Sequence, residues 1–93
     1  MSGYFTALYL RYVEDLLLAV IVTGGGSKTG VQPRGSVRFI GETQFAAGVW
    51  VGVALDTAEG KNDGSVNGQR YFKCKPRRGL FVRHEKLQLD EVR

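Results

Sequence analysis

The pentapeptide Gly60-Lys61-Asn62-Asp63-Gly64 is the segment of this chain best equipped for recognition chemistry. Two glycines bracket three polar residues, so the backbone can take conformations that present the side chains between them outward. Lys61 offers a compact positive charge with three donors, and Asn62 offers amide donors and an acceptor, a pairing suited to an acidic chain end. Asp63 is expected to close an Asx-type turn. Downstream, Phe81 and Arg83 stand two positions apart, which on a strand places both on one face, and Lys86 is expected to extend that face. Phe45 lies in a glycine-bounded loop where an exposed ring is natural, whereas Phe39 sits in an alternating strand pattern and is expected in the core.

Other constellations are weaker. Gly24-Gly25-Gly26-Ser27-Lys28-Thr29 superficially resembles a phosphate-binding loop, but Ser27 stands where a glycine must precede the lysine. Gly30, Pro33 and Gly35 then follow where a helix is required, so no nucleotide is expected. His84 and Cys74 are the single histidine and single cysteine, so no zinc set can be assembled and a catalytic Cys-His pair has no supporting signature. No serine or aspartate sits in a nucleophile-elbow context. The reading is therefore noncatalytic, with no catalytic residues, no metal and no cofactor. Lys73-Cys74-Lys75-Pro76-Arg77-Arg78 carries four positive charges beside Tyr71, Phe72 and Phe81, the best argument for nucleic acid; the same charges would equally steer an acidic tail.

The elements that must position these residues are short strands. Thirteen glycines in 93 residues, spread between short apolar runs, favour many tight turns and an all-β architecture. The apolar patterning predicts strands over 19–22, 36–40, 49–55, 69–73, 80–83 and 86–89. Asn67-Gly68 supplies two positive-φ positions for a type I′ hairpin, and 24–35 reads as a long flexible connection. In residues 1–18, Phe5, Leu8, Tyr9, Tyr12, Val13 and Leu16 recur at roughly helical spacing, which reads as a short amphipathic helix. Arg11, Glu14 and Asp15 interrupt that run, which argues against a membrane span or a secretory leader. One cysteine makes no internal disulfide, so the reducing cytosol is the simplest compartment. A formal net charge of +4 predicts attraction to acidic partners without choosing among them.

Taken with the pentapeptide, the stretch Gly41-Glu42-Thr43-Gln44-Phe45-Ala46-Ala47-Gly48-Val49-Trp50-Val51-Gly52-Val53, then Tyr71-Phe72-Lys73-Cys74 and Gly79-Leu80-Phe81-Val82-Arg83, closely resembles the CAP-Gly domain family. The resemblance runs from about residue 19 to about 89 and implies a domain over 19–89, with an N-terminal extension at 1–18 and a tail at 90–93. It implies a small, highly twisted antiparallel β-domain, an SH3-like barrel with glycine-rich loops. It also implies a cytoplasmic, microtubule-associated binding module that holds acidic C-terminal tails ending in an aromatic residue. In the family, aromatics matching Phe45, Trp50 and Phe81 line the groove for that ring. The carboxylate then falls to Lys61 and Asn62, and preceding acids to Arg83 and Lys86. The implied partners are the α-tubulin tail, end-binding proteins and other microtubule plus-end proteins. Gly64-Ser65-Val66-Asn67-Gly68 also resembles the same domain in tubulin-folding cofactors. Ala54, the basic Pro76-Arg77-Arg78 and the long 24–35 connection depart from the usual family pattern.

Overall fold

The computed structural model describes residues 18–24 and 30–91, so the helix read over the N-terminal extension and the middle of the 24–35 connection lie outside the described residues. Seven strands follow in order: β1 Ala19–Val22, β2 Arg34–Glu42, β3 Val49–Leu55, β4 Ser65–Val66, β5 Gln69–Arg70, β6 Gly79–Val82 and β7 Leu87–Leu89. Five form an antiparallel sheet in the order β6-β3-β2-β1-β7, and β4 and β5 form a separate hairpin. The architecture is all-β, as the glycine-rich, short-stranded sequence requires. No helix among the described residues is long and apolar enough to cross a membrane.

Alternation along β3 divides the molecule. Val51, Val53 and Leu55 point into an aliphatic core with Val20, Val22 and Val37, and Ile40, Leu80, Val82 and Leu87 pack against its margin. Val53 has no exposed surface, and burying a side chain of that size contributes about 1.5–3 kcal/mol. The intervening residues Trp50 and Gly52 face the other way, toward the aromatics.

β2 serves both layers through a bulge. Val37 pairs with Val53, but Phe39 pairs with Gly52, so Arg38 is an extra residue without a counterpart. Uninterrupted alternation would put Val37 and Phe39 on one face. The bulge instead sends Val37 and Ile40 to the aliphatic core and Phe39 to the aromatic side, where its Cβ lies 3.1 Å from the place a Gly52 Cβ would occupy. The expectation that Phe39 fills the core is corrected accordingly.

Other boundaries moved for identifiable reasons. The strand read over 69–73 ends at Arg70, because the N–H groups of Tyr71 and Phe72 both turn to the Gly64 carbonyl, at 2.9 and 3.3 Å. Lys86 lies in a 3-10 turn at His84–Lys86 rather than in the last strand. The hairpin at Asn67-Gly68 has the positive φ values its turn type demands, 51° and 83°. At the far edge, Arg34 reaches the buried Asp90 carboxylate at 3.3 Å and the Asp90 N–H donates to the Ala19 carbonyl at 3.0 Å, tying the residue after β7 to β1 and β2.

Candidate functional site

The pentapeptide is built from two overlapping side-chain turns. The Gly64 N–H donates to Asn62 Oδ1 at 2.9 Å, and the Ser65 N–H and Oγ both donate to Asp63 Oδ1, at 3.0 and 2.5 Å. Arg70 adds Nη2 to Asp63 Oδ2 at 3.3 Å. The Ser65 hydroxyl and amide, with Arg70 adding less, hold the Asp63 carboxyl below the ordinary aspartate range against a smaller opposing effect of burial. The expected Asx turn at Asp63 is present, and Asn62 closes a second one that the spacing does not predict. With Oδ1 taken by the turn, the end of the Asn62 amide suited to a ligand is Nδ2, a donor.

Backbone bonds clamp this loop to the start of β6. Gly60 N–H donates to the Arg77 carbonyl at 2.6 Å, Lys61 and Asn62 donate to the Gly79 carbonyl at 2.8 and 3.1 Å, and Gly79 returns a bond to the Asn62 carbonyl at 2.7 Å. A side chain at Gly79 would run into Asn62 Oδ1, so glycine is required there for the close approach. Lys61 emerges exposed from this frame, with Asn62 half-buried beside it.

On the adjoining side, six aromatic rings form one layer. Phe81 is its hub, with ring centroids 5.1 Å from Phe45, 5.3 Å from Tyr71, 5.5 Å from Phe72 and 6.1 Å from Phe39. Phe45 reaches Trp50 at 5.4 Å and Tyr71 at 5.8 Å. These are edge-on and tilted pairs, each contributing about 0.5–1.5 kcal/mol beyond area burial. Phe72 is buried, while Phe39, Phe45, Trp50, Tyr71 and Phe81 remain half-buried. A partly open apolar surface results, with the Tyr71 hydroxyl accepting the Gln44 N–H at 3.0 Å to hold the loop that carries Phe45. Phe45, Trp50 and Phe81 are brought together; Phe39, expected in the core, and Tyr71 and Phe72, expected only as neighbours of the basic run, belong to the same layer. Tyr71-Phe72 directly after a hairpin was the signal available for two of them.

Arg83 sits at the edge of this layer. Its guanidinium carbon lies 3.8 Å from the centre of the Trp50 ring, while Nη1 donates to the Val49 carbonyl at 3.1 Å and Nη2 to the Ala47 carbonyl at 2.8 Å. Stacking and fork geometry are thus both used to hold the β2–β3 loop. Gly48 between those carbonyls has φ +90°, and a Cβ there would fall 2.5 Å from Arg83 Nη1. Trp50 Nε1 is buried with no acceptor, the one such side-chain atom among the described residues. Lys86 lies elsewhere, with Nζ against Gly24 at the start of the β1–β2 connection.

The remaining candidates are Cys74 and His84. Cys74 is half-buried, and burial, followed by the nearby Asp63 charge, pushes its thiol up, the opposite of an activated nucleophile. His84 is exposed, 3.6 Å from Glu85. Among the described residues no three His, Cys, Asp or Glu side chains gather as metal ligands.

Against known proteins, a sequence model of the CAP-Gly domain matches residues 22–87. CAP-Gly domain-containing linker protein 3 of Homo sapiens is 59% identical over 82 residues, covering 88% of this chain and 13% of that protein, so the chain spans a small part of the relative it matches. The solution structure of the CAP-Gly domain in human kinesin-like protein KIF13B superposes with a TM-score of 0.64 at 39% identity, covering 77% of this chain and 66% of the other. The Bik1 CAP-Gly domain with an ETF peptide from Bim1 superposes with a TM-score of 0.58 at 29% identity, covering 84% and 88% respectively.

Proposed function

Since the chain belongs to the CAP-Gly domain family, a family of noncatalytic binding domains, we propose that it is a microtubule-associated module that captures acidic C-terminal tails ending in an aromatic residue. The single observation that carries this reading is the junction of two unlike surfaces. A half-buried aromatic layer around Phe81 meets a donor-bearing loop at Lys61 and Asn62, and the two share the Gly64 carbonyl that receives Tyr71 and Phe72. A terminal aromatic needs the first surface and a terminal carboxylate needs the second.

In this reading Phe45, Trp50 and Phe81 receive the ring, and Lys61 with Asn62 Nδ2 receives the carboxylate. Arg83 forms the pocket wall through Trp50 and the β2–β3 loop, and its remaining donors face acids on the ligand. Lys86 adds to the positive field from a greater distance. The proposed domain is 19–89. The α-tubulin tail, end-binding proteins and other plus-end proteins are the proposed partners, and microtubules in the cytoplasm the proposed location. Peptide capture by the Bik1 domain supports a ligand of this kind.

The test is a titration with a peptide ending in Glu-Glu-Tyr against the same peptide lacking the tyrosine, at physiological salt. Saturable binding that requires the tyrosine is expected; equal binding by both peptides would defeat the reading. Asn62→Asp refines it, since an aspartate keeps the acceptor for the Gly64 N–H while removing Nδ2 and adding negative charge. Affinity should fall by about 1–3 kcal/mol, the size of a hydrogen bond to a charged group, with the fold retained.

A further inference from the structure

We propose that the loop at 73–78 is a second, electrostatic subsite, which binds an acidic stretch lying N-terminal to the last residues of the captured tail. The inference rests on the tail-capture reading above and adds to it the length and charge of the partner. Its first support is position. The loop is continuous with Phe72 of the aromatic layer at one end and with Gly79 of the pentapeptide clamp at the other. Cys74 N–H bonds the Asp63 carbonyl at 3.3 Å, and the Arg77 carbonyl accepts from Gly60 at 2.6 Å, so the loop is held along the flank of Lys61 and Asn62.

Charge is the second support. Lys73, Lys75 and Arg77 are exposed on this loop beside an exposed Lys61, and of the carboxylates on the adjoining 59–64 segment Asp63 is engaged by Ser65 and Arg70 and Glu59 by Thr57. Arg83 is meanwhile engaged with Trp50, Ala47 and Val49, and Lys86 lies against Gly24. For acids further upstream of the bound terminus, beyond those that the remaining donors of Arg83 face, the cations at hand are therefore those of the loop.

Backbone strain is the third. Lys75-Pro76-Arg77-Arg78 is a four-residue turn in which the Arg78 N–H reaches the Lys75 carbonyl at 3.2 Å and Arg77 has φ +66°. Proline at the second position and positive φ at the third is the pattern of a type II turn, whose third position is normally glycine. Here that position carries an arginine, in a conformation that an L residue adopts only at a cost. A turn built only for chain reversal would be better served by glycine. Arginine there points to a role for the side chain that folding does not supply.

The experiment uses the whole chain and two synthetic peptides, one ending in Glu-Glu-Tyr and one with the same ending behind a run of glutamates. On the unaltered protein the longer peptide should bind more tightly by on the order of tenfold at low salt, the size a few exposed charge contacts supply. Arg77→Gly should abolish part of that gain while leaving the melting temperature unchanged or raised and the short peptide's affinity intact. Lys73→Glu with Lys75→Glu should abolish the remainder. A gain that survives these substitutions, or no gain on the unaltered protein while the short peptide still binds, would overturn the subsite and leave tail capture standing. Failure of the short peptide itself would instead remove the reading beneath it. Loss of single-stranded oligonucleotide binding in the loop variants, with the peptide gain unaffected, would reassign the loop to nucleic acid and also overturn the proposal.

Discussion

The two faces of β3 are built from different materials for different ends. One face, Val51, Val53 and Leu55, meets only aliphatic residues and is closed to water. The other, Trp50 and Gly52, meets aromatic rings of which all but Phe72 stay half-open, and includes a buried indole N–H with no acceptor. Branched aliphatics have few rotamers and no polar atoms, so they fill a small closed space at high density. Aromatic rings leave usable surface while supporting each other edge to face. The division teaches that in a chain of this size stability and recognition can be assigned to opposite sides of a single strand, and each side can then be perturbed almost alone.

The largest effect should come from the closed face. Val53→Ala removes buried methyl groups where neighbours on the surrounding strands cannot follow, and should cost about 2–3 kcal/mol of stability. Peptide affinity, measured per folded molecule, should be unchanged. Denaturant unfolding and calorimetric titration on the same sample would separate the two. A fall in affinity as large as the fall in stability would mean that the faces are mechanically coupled and the division is wrong.

On the open face, Gly52→Ala places a methyl 2.5 Å from Phe72 Cε1 and 2.9 Å from its Cδ1. Phe72 must move, and Phe81 moves with it, so overpacking should cost about 1–2 kcal/mol of stability. Binding should suffer more than folding, because the pocket floor is displaced. Retained affinity would exclude the aromatic layer as the ring-binding surface.

Trp50→Phe sharpens the contrast further. Lost ring area destabilises, but the substitution also removes a buried donor whose unmet hydrogen bond costs about 1–3 kcal/mol, so net stability should stay within about 1 kcal/mol of the original. Affinity should still fall, because the wall shared with Arg83 is thinner. A large loss of stability would show that the indole N–H has an acceptor after all.

How much of this could be read from the sequence follows the same division. The β3 pattern Val-Trp-Val-Gly-Val-Ala-Leu shows its strand and its inward face directly, and Asn67-Gly68 shows its turn, because both are local. The 2–3 bulge is not local. Nothing in Val37-Arg38-Phe39 marks Arg38 as unpaired, and that one residue decides whether Phe39 joins the valines or the rings. Arg83 was legible as a charge on the Phe81 strand, but its stacking on Trp50 and its two carbonyl partners depend on a loop 34 and more residues away. The pentapeptide was legible as a polar loop. The Asn62 turn that directs its amide depends on the pairing with Gly79, which spacing alone does not show.

The smallest expected effect concerns the polar loop that borders the open face. Asp63 accepts the Ser65 hydroxyl and amide, and its carboxyl titrates below the ordinary value of 3.8 in consequence. A folded value depressed relative to the unfolded one means that the loop is supported fully above the ordinary range, and the support is lost as pH falls through the lower folded value. The Ser65 amide resonance and the Asp63 carboxyl resonance should therefore share one titration midpoint below 3.8. Ser65→Ala should move that midpoint upward, since it deletes the largest of the depressing contacts, while leaving the amide bond in place. Val53, whose neighbours in the core are aliphatic, should give no parallel change over the same range. A midpoint at or above 3.8 in the unaltered chain would mean that the Ser65 contacts do not hold in solution and that Lys61 and Asn62 are presented by a looser loop.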